Sequence, residues 1–279
     1  MLMWEGAIQV IRASASVPTS LDLQSRRFHF SGRLPVVITG NAGSGKTRLW
    51  STLTLENAQS VMSVARDNGY MVSTINNTKR SLALTTIPGQ AARPRAIAMR
   101  MMFGEETRVA GVVFMASAGF DHIWPTSSDV VAYDLRRDSK FDLDGMIERN
   151  QMAEEQNFSE VCREIRAKVA LTERTPEMAP RWLLVLVNKA DLYWPRLPIV
   201  EGYYLPGSDS RFDRHAKRLL DDVGHSRLQY YVLPVATEIA PYSFQSSHGS
   251  ITAPSALNDN QRDASIRNLI ENLGELYDV

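Results

Sequence analysis

The chain has 279 residues, 44% of them hydrophobic, which is enough to bury the core of one large domain or two small ones. Its 31 basic and 31 acidic residues cancel, which excludes a one-signed electrostatic field that would steer the whole molecule to nucleic acid. The single cysteine excludes an internal disulfide framework, and no apolar run approaches the roughly 20 residues that cross a bilayer, so we expect a cytoplasmic protein without a transmembrane segment.

Strands and helices are predicted to alternate along the chain. A β-branched apolar run at 35–39 predicts a buried parallel strand that leads into a glycine-rich stretch, with a helix from about Lys46. Asn76 and Asn77 separate apolar runs at 70–75 and 80–86, which predicts a hairpin. The remaining predicted elements follow in chain order: a helix near 95–103, a strand at 109–116, a helix at 147–171, a strand at 182–187, a helix near 213–222, a strand at 229–235 and a helix near 266–276.

This order predicts an α/β fold with a doubly wound, mostly parallel sheet, to which the hairpin adds one antiparallel edge strand. Residues 1–34 are expected to form an N-terminal extension, and residues 35–279 a single domain. Surplus sequence is expected in loop insertions near 117–146, 192–212 and 239–260, because none of these segments has enough apolar sequence for its own core.

The glycine-rich stretch after the first strand matches the phosphate-loop pattern G-x-x-x-x-G-K-[ST]. It reads Gly40-Asn41-Ala42-Gly43-Ser44-Gly45-Lys46-Thr47. Successive backbone N–H groups in such a loop surround a β-phosphate, and the following helix adds its N-terminal dipole. We expect Lys46 to reach the β- and γ-phosphates, with a catalytic role, and Thr47 to offer its hydroxyl to Mg²⁺.

A second motif, Asn188-Lys189-Ala190-Asp191, directly follows the apolar run at 182–187. At the carboxyl end of a strand, Asp191 is placed to accept paired hydrogen bonds from guanine N1–H and the exocyclic amino group, which adenine cannot match. The aliphatic part of Lys189 is expected to cover one face of the base. Asn188 is expected to tie this loop to the phosphate loop.

A third motif, Thr85-Thr86-Ile87-Pro88-Gly89-Gln90, closes the third strand. Gly89 is expected to offer its N–H to the γ-phosphate, and Gln90 to orient an attacking water. Thr86 stands where GTPases usually carry an aspartate that holds a magnesium-bound water, so Mg²⁺ affinity should depend more on Thr47 and the nucleotide.

Together these three motifs resemble the translation-factor-related GTPases, in particular a bacterial Ras/Arf-like group with T-x-P-G-Q that includes gliding-motility GTPases. The resemblance covers roughly residues 35–238. It implies a G domain that binds GTP or GDP with Mg²⁺, and a further magnesium ligand at Ser63, with Ser60 and Thr74 as rivals. It also implies that the backbone of Ala236 or Thr237 contacts the guanine carbonyl, although the usual S-A-K is replaced by Ala-Thr-Glu here.

The arginines at 93, 95 and 100 follow Gln90 closely. A solvated helix face is the expected location for them, and contact with an effector or a phosphate is the alternative.

The function expected from these motifs is a regulated GTPase. Mg-GTP would order the segments around Ser63 and Gln90, and slow hydrolysis would release an effector or respond to an activating protein. One alternative is a module that holds GTP or GDP as a structural or assembly ligand with negligible hydrolysis. Another is a P-loop ATPase or small-molecule kinase, which Asp191 opposes. A homodimer stays an open alternative to a monomer.

Overall fold

The computed structural model describes residues 34–54, 68–75, 78–89, 92–121, 143–246 and 249–278. The expected N-terminal extension lies almost entirely outside these ranges, as do most of the 117–146 insertion and the predicted residues Ser60, Ser63 and Gln90. Eight strands are described: β1 Leu34–Gly40, β2 Asn68–Ile75, β3 Thr78–Thr86, β4 Gly111–Ala116, β5 Trp182–Val187, β6 Gln229–Pro234, β7 Tyr242–Ser246 and β8 Gly249–Ala253.

Six of these strands form one sheet in the order β2-β3-β1-β4-β5-β6. Strands β3, β1, β4, β5 and β6 are parallel, and only β2 runs antiparallel, at the edge, against β3. Strands β4 and β5 are buried along their whole length, as expected for apolar strands covered on both faces. The predicted doubly wound α/β sheet with one antiparallel edge is confirmed.

Seven α-helices are described: α1 Lys46–Thr54, α2 Ala92–Phe103, α3 Leu143–Leu171, α4 Ala190–Tyr193, α5 Leu197–Tyr204, α6 Arg211–Val223 and α7 Asp259–Glu275. Helix α6 begins with Ser210, whose hydroxyl accepts a hydrogen bond from the Asp213 N–H. Helix α7 begins with a capping box between Asn258 and Gln261. Among the described residues no helix combines the length and the apolar character needed to cross a membrane.

The sheet separates two apolar layers. On one face Leu49 and Leu53 of α1 and Leu269 and Leu273 of α7 pack on Ile38 and its neighbours. The opposite face carries α2, α3 and α6, where an aromatic cluster forms around Phe158, whose ring stacks on that of Phe212 with centroids 3.9 Å apart. Helices on both faces of a parallel sheet leave its strand ends as the place where loops meet.

Two segments expected to be loop insertions have secondary structure of their own, so that expectation is wrong for them. Residues 190–204 form α4, a 3₁₀ turn and α5, and the side chain of Tyr204 is completely buried. Residues 242–246 and 249–253 form a separate two-stranded sheet, β7 with β8. Both segments have too few apolar residues for an independent core, but their buried aromatic residues Tyr204 and Tyr242 pack into the main core.

Candidate nucleotide site

The three predicted motifs meet at the carboxyl end of the sheet, where the parallel strands end. The phosphate loop follows β1, Gly89 lies just beyond β3, and Asn188 follows β5 directly. Because β1, β3 and β5 are parallel, their carboxyl ends lie on the same side. In the strand order, β2 and β3 lie on one side of β1 and β4 lies on the other, so the chain changes direction at β1. The carboxyl end of β1 is therefore a topological switch point, the place where open α/β sheets bind ligands.

Glycine is required in the phosphate loop by both conformation and space. Gly40 has φ +142°, and a Cβ there would lie 2.2 Å from the Met115 carbonyl oxygen on β4. Gly45 has φ +95°, and its Cβ would lie 2.2 Å from Asn188 Nδ2. The Ser44 hydroxyl donates to the Asn41 carbonyl oxygen at 2.9 Å, which closes the loop before α1 begins at Lys46. The strand, loop and helix therefore follow one another as the motif predicts.

The Lys46 ammonium lies inside the phosphate loop. Its Nζ donates to the carbonyl oxygens of Gly40 at 3.1 Å and Asn41 at 2.5 Å. Burial lowers the pKa of Lys46 to about 7, which the charge of Asp121 opposes and that of Arg95 reinforces. An anion bound beside this amine would favour its charged form and raise its pKa again. Binding of a phosphate and protonation of Lys46 would therefore stabilise each other.

The third motif contacts the phosphate loop through Gly89. Thr86 pairs with Ile38 at the ends of β3 and β1, and the Ile87 N–H donates to the Ile38 carbonyl oxygen at 2.8 Å. A Cβ on Gly89 would lie 2.6 Å from the Ala42 nitrogen and 2.7 Å from Lys46 Nζ. Any side chain at this position would collide with these atoms, so only glycine allows the backbone to approach the Lys46 ammonium so closely. The γ-phosphate contact is expected at this place.

The loop Asn188–Asp191, called the base loop below, is tied to the phosphate loop by Asn188, and this prediction is confirmed. Its Nδ2 donates to the Ser44 carbonyl oxygen at 2.8 Å. Its Oδ1 accepts from both the backbone N–H and the hydroxyl of Thr237, each at 3.1 Å. A single buried amide thus joins loops at the ends of β1, β5 and β6. The backbone N–H groups expected to contact the guanine carbonyl already donate within the protein, that of Thr237 to Asn188 Oδ1 at 3.1 Å and that of Ala236 to the Ser265 hydroxyl at 3.2 Å.

Lys189 and Asp191 occupy the rest of the base loop. Lys189 has φ +60°, and its Nζ donates to the Phe120 carbonyl oxygen and lies 5.4 Å from the centre of the Tyr242 ring. Asp191 is only 1% exposed, and burial raises its pKa. Its Oδ2 lies 3.4 Å from the Ala240 N–H, a long and weak hydrogen bond. The Ser255 side chain also hydrogen-bonds this carboxylate, so a base that pairs with Asp191 would have to take the place of the Ser255 and Ala240 contacts.

A buried polar network that the sequence analysis did not identify supports the phosphate loop from behind. Asn41 Nδ2 donates to Asp121 Oδ2 at 2.9 Å, and Asn41 Oδ1 accepts from Asn157 Nδ2 on α3. The Ser117 hydroxyl lies 2.5 Å from Asp121 Oδ1 and 3.1 Å from Glu154 Oε1. Both the nitrogen and the oxygen of the Asn41 side-chain amide are therefore hydrogen-bonded, which fixes this residue of the phosphate loop.

Glu154 connects this network to the inserted helices. Its Oε1 accepts the N–H groups of Ser117 at 2.8 Å and Gly119 at 3.1 Å, and its Oε2 accepts the Tyr204 hydroxyl at 2.6 Å. Burial, and after it the charge of Asp121, raises the pKa of Glu154 to about 8. The insertion at 190–204 is thus packed against the same polar network that holds the phosphate loop.

The structure overturns one expectation about the arginines that follow Gln90. Arg100 is exposed, as expected for a solvated helix face. Arg95 is not: its side chain is only 8% exposed, and Nη1 donates to the Gly40 carbonyl oxygen at 3.3 Å. The reason is that Arg95, in the first turn of α2, lies next to Gly40 of the phosphate loop and next to Glu160 of α3.

The described residues thus bring Gly40–Thr47, Gly89, Asn188–Asp191 and Ala236–Thr237 together at one sheet edge, whereas Gln90 and Ser63 lie outside the described ranges. A scan of known protein families gives no match to this chain, and a search of curated proteins gives none either. The class of site that this geometry presents is a glycine-rich loop with the phosphate-loop pattern, coupled through Asn188 to a second loop that carries the buried carboxylate of Asp191.

Proposed function

We propose that this chain is a guanine-nucleotide-binding P-loop protein that binds Mg-GTP and hydrolyses it slowly to GDP. The observation that carries the proposal is the 2.8 Å hydrogen bond from Asn188 Nδ2 to the Ser44 carbonyl oxygen. It couples a loop suited to phosphates with a loop whose carboxylate suits guanine, and these are the two halves of a nucleotide site. A role as a cytoplasmic switch that signals through an effector or activating protein belongs to the same proposal.

In the proposed reaction a water adds to the γ-phosphorus of GTP and the bond to the β,γ-bridging oxygen breaks, giving GDP, inorganic phosphate and a proton. The phosphate-loop N–H groups and Lys46 would bind the phosphates, Gly89 would donate its N–H to the γ-phosphate, and Gln90 would orient the water. Thr47 lies in the first turn of α1, and its hydroxyl would ligate Mg²⁺, which neutralises phosphate charge when bound.

Thr86 supports a second candidate function. It is buried at the end of β3, next to Ile38, and brings a hydroxyl where a carboxylate would strengthen the hold on a hydrated Mg²⁺. A weaker magnesium site favours a module that keeps GTP or GDP as a structural or assembly ligand with negligible turnover. A P-loop ATPase or kinase is the third candidate, and the base recognition expected of Asp191 counts against it.

Base preference tests the assignment of Asp191. We expect the wild-type protein to bind GDP at least about 100-fold more tightly than ADP, because adenine leaves the carboxylate unmatched. Asp191→Asn places an amide donor where guanine also donates, but xanthine has a carbonyl at that position. The variant should therefore prefer xanthosine diphosphate over GDP in a fluorescence competition assay.

The control for this experiment is Asp221→Asn, the same change at an exposed position of α6, which should leave base preference unaltered. Preference of the wild-type protein for ADP would overturn the role of Asp191 and favour the ATPase candidate. Equal loss of all nucleotides in Asp191→Asn, with the fold retained, would show that the carboxylate is structural.

Turnover separates the two guanine-nucleotide candidates. We expect slow GTP hydrolysis by the wild-type protein and at least about 10-fold slower hydrolysis by Gln90→Ala, because an attacking water loses its orienting group. Phosphate release in single-turnover conditions measures the rate, and unchanged GDP affinity of the variant is the control. Tight GTP binding without turnover in the wild-type protein would favour the structural-ligand module instead.

A further inference from the structure

A second cation besides Lys46 lies beside the phosphate loop. The Arg95 side chain is more than nine-tenths buried, and its Nη1 donates to the Gly40 carbonyl oxygen at 3.3 Å. Lys46 Nζ donates to the same oxygen at 3.1 Å. Two positive side chains therefore converge on one carbonyl of a loop whose motif predicts phosphate binding, and Lys46 Nζ also faces Gly89.

The Arg95 guanidinium has a donor that the described part of the fold does not use. Its Nε faces Glu160 on α3, with Nε and Oε2 3.5 Å apart, and the Glu160 side chain is 50% exposed. Its Nη2 is buried and has no hydrogen-bond partner among the described residues. Glu160 therefore offsets part of the charge from the solvent side, and within the described ranges the Nη2 edge has no protein acceptor.

A purely structural role does not account for this arrangement. Buried unsatisfied donors are unfavourable, and an apolar side chain of similar length would fill the same space without them. A guanidinium with a free edge next to a phosphate loop is instead suited to an incoming anion with several oxygens. Since Arg95 Nη1 shares the Gly40 carbonyl oxygen with Lys46 Nζ, and Lys46 Nζ faces Gly89, the fitting anion is the terminal phosphate of a nucleoside triphosphate.

We infer that Arg95 is a second cationic ligand of the nucleotide γ-phosphate, to which it offers its free Nη2 while Lys46 binds the β- and γ-phosphates. This inference rests on the proposed function and adds to it a residue that distinguishes GTP from GDP. The start of α2 would thereby detect directly whether the γ-phosphate is present, because Arg95 is part of that helix.

The test compares affinities for GDP and for a GTP analogue in which nitrogen bridges the β- and γ-phosphorus atoms, so that hydrolysis does not interfere. Arg95→Met keeps the buried stem and removes the charge. It should lower affinity for the analogue by about 10- to 100-fold, the loss expected for one charge-assisted hydrogen bond, and affinity for GDP by less than about 3-fold. Arg100→Met, at an exposed position of the same helix, should change neither affinity.

Glu160→Gln separates a ligand role from a structural ion pair. If Arg95 serves the γ-phosphate, removal of its competing anion should leave affinity for the analogue unchanged or raise it. Equal loss of GDP and analogue binding in Arg95→Met, or the same loss in Arg95→Met and Glu160→Gln, would overturn the inference while the proposed function stands. Failure of the wild-type protein to bind GDP at all would instead reject the proposed function, and the inference with it.

Discussion

At the scale of single residues, the Ser117 hydroxyl lies between two buried carboxylates, Asp121 and Glu154. One hydroxyl proton cannot serve both carboxylates at once, and two charged carboxylates this close would repel each other. Burial raises the pKa of Asp121, but hydrogen bonds from Ser117 and Asn41 oppose that shift. Burial and then the charge of Asp121 raise the pKa of Glu154 to about 8, against hydrogen bonds from Tyr204, Ser117 and Gly119, so we expect Glu154 to hold a proton near neutral pH.

This protonated carboxyl should make stability fall as pH rises. The folded protein keeps the Glu154 proton up to about pH 8, whereas the unfolded chain loses it near the ordinary value of 4.5. Between these values the folded state binds more protons, so the free energy of unfolding decreases by up to about 1.4 kcal/mol per pH unit and levels off above about pH 8. Urea unfolding at pH 5.5, 7.0 and 8.5 measures this slope.

Glu154→Gln provides the comparison, because glutamine is neutral at all three pH values and can keep the accepting oxygen for Ser117 and Gly119. Burial also raises the pKa of other carboxyl groups, such as Asp191 and Glu201, and these contribute to the slope in both proteins. The difference in slope between wild type and variant therefore measures the contribution of Glu154. Identical slopes in the two proteins would mean that Glu154 is charged in the folded state.

At the scale of elements, hydrophobic patterning was sufficient to predict the sheet. Apolar β-branched runs gave β1, β4 and β5 to within two residues, and Asn76-Asn77 gave the β2–β3 hairpin. Patterning succeeds there because both faces of these strands are buried, so their composition has little freedom. The motif order then placed Gly40–Thr47 and Asn188 at strand ends, and parallel pairing brought them together.

The inserted elements and the polar network were not predicted, for two physical reasons. Helices α4 and α5 and the β7–β8 hairpin are short and depend on packing against the main core, which local periodicity does not report. Glu154 did leave a signal: Met146, Asn150, Glu154 and Phe158 are spaced by four residues, so two polar residues lie on the apolar stripe of α3. The burial of Arg95 left no signal in the sequence, because it results from the tertiary contact between the start of α2 and Gly40 of the phosphate loop.

At the scale of the whole molecule, the candidate site exists only when the complete sheet is assembled. Gly40 is the last residue of β1, and the other groups lie beyond strand ends: Gly89 after β3, Asp121 after β4, Asn188 after β5 and Thr237 after β6. The contacts among them span up to 144 positions of the sequence, as for Asn188 and Ser44. An unfolded chain cannot gather these groups, so a ligand of this site binds the folded state alone.

Guanine nucleotide should therefore stabilise the protein against unfolding by an amount that grows with the logarithm of its free concentration. At about 100 times its Kd, GDP should add about 2.7 kcal/mol to the free energy of unfolding, with the denaturant m-value unchanged because the same surface is exposed on unfolding. Lys46→Ala should abolish the gain, since it removes the phosphate-loop ammonium, and ADP at the same concentration should give little. Equal stabilisation of wild type and Lys46→Ala by GDP would place the nucleotide elsewhere on the molecule. Urea titrations at a series of GDP concentrations distinguish these results, because binding at the strand-end site gives a midpoint that rises with the logarithm of ligand concentration and depends on Lys46.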